Sequence, residues 1–133
     1  MSAEIRSERI HANGLDFHVD TCGDGDRFAL CLHGFPEIGY SWRHQLPLLA
    51  SLGYRVWAPD LRGFGQTDKP RGVRQYAFEH LIDDVAALID ASGTKETLLL
   101  AHDWGVMIAS QIAFHQVRPL SRLVLLNGAA LGM

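Results

Sequence analysis

The chain has 133 residues and a net charge of −3, with 47% hydrophobic and 20% charged residues. That suits one globular domain burying roughly two thirds of its unfolded surface, and its scattered Lys and Arg form no basic stripe, which argues against nucleic-acid and membrane partners. The N-terminus MSAEIRSERI is polar, with no signal-peptide or transmembrane stretch, so a cytoplasmic protein is expected, with Cys22 and Cys31 as free thiols.

Residues 1–7 read as a loose lead and 8–133 as one domain. RIHAN and LDFHVD flank Asn13-Gly14, a pair that tolerates positive φ, and this predicts a β-hairpin. RFALCLH (27–33) is a continuous apolar run, as expected of a strand covered on both faces. His33-Gly34-Phe35-Pro36-Glu37 interrupts it, and Trp42 to Leu52 reads as a helix ended by Gly53. RVWAPD (55–60) is the next strand, followed by a polar loop rich in Gly. Phe78, Leu81, Ile82, Val85, Leu88 and Ile89 keep the helical period over 78–91. A strand over 97–101, a helix from Trp104 to Val117 and a last strand RLVLLN (122–127) complete the order. A hairpin followed by alternating strands and helices predicts an α/β fold: a mostly parallel sheet with helices on both faces.

In such sheets ligands bind at the carboxyl ends of the strands. One of those turns, LLLAHDWGV, has the pattern of a nucleophile elbow: small residues at Ala101 and Gly105 permit a sharp strand-to-helix turn, and Asp103 takes the place where serine hydrolases put Ser. A carboxylate at a helix N-terminus stays ionised. It needs no base to attack a saturated carbon, which gives an alkyl ester that water must then hydrolyse. The backbone N–H of Trp104 and one from the HGFPE turn, at Phe35, are the expected oxyanion donors. An Asp at a helix start commonly serves only as an N-cap; the small neighbours and the earlier HGFPE turn favour a nucleophile. Gly63-Phe64-Gly65 lacks the third Gly of a dinucleotide loop, and Asp83-Asp84 cannot share one helix face. Trp42 and Trp57 read as packing residues, and Asp60 and Asp68 as organisers of their loop. No His or Cys spacing suggests a metal.

HGFPE (33–37), DLRGFGQTDKP (60–70) and HDWG (102–105) together resemble the α/β-hydrolase superfamily, in its epoxide hydrolase branch. The resemblance implies that Asp103 opens an epoxide and that the amides of Phe35 and Trp104 form the oxyanion hole. Phe35, Pro36 and Trp104 would line the pocket, with a cis Phe35-Pro36 bond. No cofactor and no metal are implied, and the partner is a small-molecule epoxide. Haloalkane and haloacetate dehalogenases share the Asp chemistry and would make the substrate a halide. Trp104 fits the haloalkane group, Phe35 departs from its frequent Asn, and Trp104 departs from the Arg usual in the haloacetate group.

By the same resemblance, the chain ends at Met133 where the family's helical cap would begin. The cap tyrosines, the acid and the His base would follow, so the chain is expected to be an N-terminal half without turnover of its own. His33, Gly34, His102 and Gly105 are expected to be structural neighbours of the site, not replacements for that base. Tyr40, Tyr54 and Tyr76 are not expected to activate the epoxide. Leu123 to Leu126 would leave an open apolar edge inviting self-association. A non-catalytic interaction protein of the same fold is the rival reading, disfavoured by the intact elbow.

Overall fold

A computed structural model describes residues 4–129 of the chain. The hairpin forms around Asn13 (φ 49°) and Gly14 (φ 76°). Strands β1 (Arg6–Ala12) and β2 (Leu15–Cys22) pair antiparallel from Ala12 opposite Leu15 outward. β1 begins three residues before the expected start at Arg9, so Arg6 and Ser7 belong to the sheet and not to a loose lead. β3 (Arg27–Leu32), β4 (Tyr54–Pro59), β5 (Thr97–His102) and β6 (Leu120–Leu126) complete one six-stranded sheet in the order β1-β2-β4-β3-β5-β6. β4, β3, β5 and β6 run parallel, and β2 pairs antiparallel with both its neighbours, β1 and β4, which agrees with the expected mostly parallel α/β sheet.

The period of two along β3 sorts its side chains onto two faces. Phe28, Leu30 and Leu32 join Leu99 and Ala101 of β5 on one face, under α2 (Phe78–Ser92) and α3 (Trp104–Phe114). Ala29 and Cys31 join Leu98 and Leu100 on the other, under Trp42 and α1 (Gln45–Ser51). Cys22 and Cys31 are buried and not joined in a disulfide.

Two helix boundaries differ from expectation, each for a backbone reason. The helix expected over 42–52 is a 3₁₀ turn, Gly39–Trp42, followed by the shorter α1. Pro47 has no N–H to give to a preceding turn, so it is tolerated only in the first turn of a helix. That forces the start to Gln45. The helix expected to reach Val117 stops at Phe114. Gln116 takes φ 50°, and the N–H groups of Gln116 and Val117 donate to Ala113 and Ile112 at 3.2 and 3.0 Å. This is a Schellman stop built without glycine. β6 lies at the sheet edge, with Leu123 and Val124 packed against the two cores and Leu125 and Leu126 exposed.

Candidate active site

The parallel strands β3 and β5 are neighbours, so the turns that leave their carboxyl ends meet. The β5–α3 turn carries Asp103 at φ 53° and ψ −115°, a conformation that a non-glycine residue holds only when its surroundings impose it. Its carboxylate makes no capping bond to α3. Instead, the backbone N–H of Phe35 donates to Asp103 Oδ2 at 3.1 Å. That bond, and a second from the Trp104 amide, hold the Asp103 carboxyl below the usual carboxylate range. HGFPE and HDWG, separated in sequence, are thereby joined through one oxygen atom.

Glycine is needed on both sides of that contact. A Cβ on Gly34 would lie 2.5 Å from Asp103 Cβ and 2.9 Å from its Oδ2. A Cβ on Gly105 would lie 2.8 and 2.9 Å from the carbonyl oxygens of Leu32 and His33. The first lets the HGFPE backbone reach the carboxylate, and the second lets α3 start against the end of β3. The Phe35-Pro36 peptide is cis.

The two histidines beside the site are engaged in structure. His33 is fully buried, with Nδ1 2.8 Å from the Gly34 carbonyl and Nε2 2.9 Å from the Leu61 N–H. A carbonyl only accepts and an amide N–H only donates, so Nδ1 carries the proton and the ring is neutral. Burial pushes its pKa below the ordinary histidine value. His102 donates from Nδ1 to Glu37 Oε1 at 3.0 Å, and the same oxygen accepts the Gly34 N–H at 3.1 Å. His102 and Glu37 line a separate cavity of about 240 Å³ that Asp103 does not line.

Asp103 opens into a cavity of about 580 Å³ walled by Phe35, Phe64, Trp104, Tyr76, Leu81 and Ile108. Phe35 and Trp104 are 66% and 40% exposed, so both rings present themselves to a ligand. Pro36 is not among its lining residues. A larger, polar cavity of about 710 Å³, between Glu4, Arg6, Glu8, Asp24 and Arg55, holds none of the motif residues. Among the described residues no three His, Cys, Asp or Glu side chains converge as a metal set, and no helix is long and apolar enough to cross a membrane.

Beneath the cavity lies a framework that sequence reasoning found only in part. Asp60 orders its loop, as expected, accepting the N–H of Gln66 at 3.0 Å, and it also reaches across to the N–H of Gly39 at 2.9 Å. Asp68 accepts the N–H of Asp16 at 2.9 Å. Arg62 and Asp84 form a buried bidentate pair at 2.7 and 2.8 Å, while Asp83 is exposed. One signal was available: Asp84 lies three residues after Leu81 and four before Leu88, on the apolar stripe of its helix, where a carboxylate needs a partner. Tyr76 gave no comparable signal.

The sequence profile of the alpha/beta hydrolase fold matches residues 30–132. "Epoxide hydrolase 2" of Siraitia grosvenorii is 48% identical over 106 residues, which are 80% of this chain and 33% of that protein. "Epoxide hydrolase 4" of Homo sapiens is 43% identical over 120 residues, 90% of this chain and again 33% of the other. The crystal structure of an epoxide hydrolase from Vigna radiata superposes with a TM-score of 0.87 at 42% identity, covering 92% of this chain and 40% of that one. The chain thus spans about a third of the length of the curated relatives it matches. It belongs to the alpha/beta hydrolase family, in the branch whose matched members are epoxide hydrolases.

Proposed function

We propose that the chain carries the alkylating half of an epoxide hydrolase site, with Asp103 as nucleophile. The observation that carries this reading is the carboxylate itself. Among the described residues it sits at a strained turn, opens into a largely apolar cavity, accepts from the Phe35 amide and makes no side-chain capping bond. In the reaction, Asp103 Oδ1 attacks a ring carbon of the epoxide while the carbon–oxygen bond of the ring breaks. The released alkoxide takes a proton from solvent water, leaving a hydroxyalkyl ester and hydroxide. Oδ2 keeps the Phe35 amide, and in this reading the Phe35 and Trp104 amides hold the oxyanion when water later attacks the ester carbonyl. That second step yields a diol and restores the carboxylate. It needs a base, and no histidine lines the cavity among the described residues.

The test is intact-mass spectrometry after exposure to styrene oxide. The expected result is one adduct of styrene oxide mass, located on Asp103 by peptide mapping and absent from Asp103→Asn. A folded protein that gains no adduct, or gains it equally in the variant, would overturn the assignment. A bromoalkane labelling Asp103 faster than the epoxide does would keep the nucleophile and change the leaving group to halide.

A further inference from the structure

The cavity over Asp103 has one wall that the alkylation chemistry leaves unexplained. Tyr76 lines it beside Phe64 and Leu81. It comes from the 3₁₀ turn Val73–Tyr76 in the β4–α2 connection, away from any strand end. It belongs to neither hydrophobic core cluster and is 38% exposed, so packing the interior does not account for it.

The ring is nonetheless held from two directions. It is seated on Gly63, where a Cβ would lie 2.6 Å from Tyr76 Cε1 and 3.0 Å from the phenol oxygen. Gly63 also has φ 83°, so glycine suits that position by both space and backbone. One residue before the ring, the chain is gripped by Arg62, which donates to the Gln75 carbonyl at 2.8 Å. The rest of that guanidinium is bound bidentate to buried Asp84. Asp84 in turn accepts from Asn13 Nδ2 at 2.8 Å, which anchors it to the hairpin turn. An aromatic surface fixed in this way loses little freedom when a ligand packs on it, and such preorganisation raises selectivity.

We propose that Tyr76 is a specificity-determining residue, the platform on which a flat substituent of the epoxide lies while Asp103 attacks the ring carbon. The cavity then prefers an aryl epoxide to a saturated one of the same size. The Arg62–Asp84 pair acts through Tyr76 as a positioning element. This inference rests on Asp103 being the reacting carboxylate only for its kinetic test.

That kinetic test compares labelling rates with styrene oxide and with cyclohexyloxirane, which has the same carbon skeleton, saturated. Dividing each variant's rate ratio by that of the wild type removes the intrinsic reactivity of the two epoxides. Tyr76→Leu should lower the aryl preference about threefold to tenfold, the scale of one lost aromatic pairing. Tyr76→Phe should hold it within about twofold of wild type. A Tyr76→Leu protein that melts like wild type and keeps the ratio would overturn the proposal. A second measurement needs neither reaction nor variant: NMR of the wild type titrated with phenylethanediol and with cyclohexylethanediol. The aryl diol should shift the Tyr76 ring resonances by its ring current and the saturated one should not. Unmoved Tyr76 resonances with both would overturn the proposal even if Asp103 is labelled. An unlabelled Asp103 with shifted Tyr76 resonances would sink the nucleophile and leave the platform standing.

Discussion

Two carboxylates on opposite sides of the cavity wall are treated in opposite ways. Asp84 is buried, gives both oxygens to Arg62 and adds Asn13. Asp103 is half-buried, and backbone N–H groups, with a smaller contribution from His102, lower its pKa. A cation beside a carboxylate neutralises it and fixes it; amide dipoles favour its ionised form without a neutralising charge. The comparison teaches that the kind of partner, more than burial or the identity of the acid, separates a carboxylate that holds a loop from one that can do chemistry.

Substitution should pull the two apart. Asp103→Asn should abolish adduct formation altogether and leave the melting temperature near that of wild type. Asp84→Ala should do the reverse in kind, destabilising the fold by about 3–5 kcal/mol in urea unfolding, because it leaves Arg62 buried and unpaired. Equal stability loss in both variants would erase the distinction.

Gly34→Ala sharpens the contrast on the Asp103 side. Its Cβ would press on the Asp103 carboxylate, and a displacement near 1 Å at a reacting atom costs about 100-fold in rate. Labelling should fall on that order while the melt shifts far less.

Two pH effects follow from the shifted groups. The Asp103 pKa is lowered, so labelling, corrected for acid solvolysis, should stay flat from pH 7 down past about pH 4, the ordinary carboxylate range, before it declines. His33 is also lowered, so the unfolded chain binds its proton first. Stability should therefore fall as pH drops below about 6.5, continuing until the folded pKa is passed. His33→Gln should flatten that slope in thermal melts. The smallest effect is expected at the exposed Asp90–Arg118 pair, where Arg118→Ala should cost under about 1 kcal/mol.

Much of the architecture was legible because its signals are local. Asn13-Gly14 wrote the hairpin, the unbroken apolar runs wrote the buried strands, and the small residues around Asp103 wrote the sharp strand-to-helix turn. The boundaries missed are those where an uncommon residue fills a backbone role, as Gln116 does at the end of α3. At the site, Asp103, Phe35 and Trp104 could be read because their motif packs the geometry into a few residues. Arg62 and Asp84 could not be paired by pattern, since they lie 22 positions apart with a helix start between them. The sequence marks Tyr76 only as a tyrosine not expected to activate the epoxide. Its place on the cavity wall depends on a turn whose fold is set by Gly63 and Arg62, and no periodicity announces it.

The sheet edge has a bearing on the elbow through the backbone. The N–H of Asp103 donates to the carbonyl of Leu126, the last residue of β6, at 3.0 Å. Just beyond, a Cβ on Gly128 would stand 2.5 Å from the Asp103 carbonyl oxygen. The outermost strand is therefore a strut under the elbow, and its stiffness is part of what keeps Asp103 in its strained turn. Whatever docks along β6, by completing its ladder, loads that strut and steadies the carboxylate; whatever frays β6 lets the turn relax.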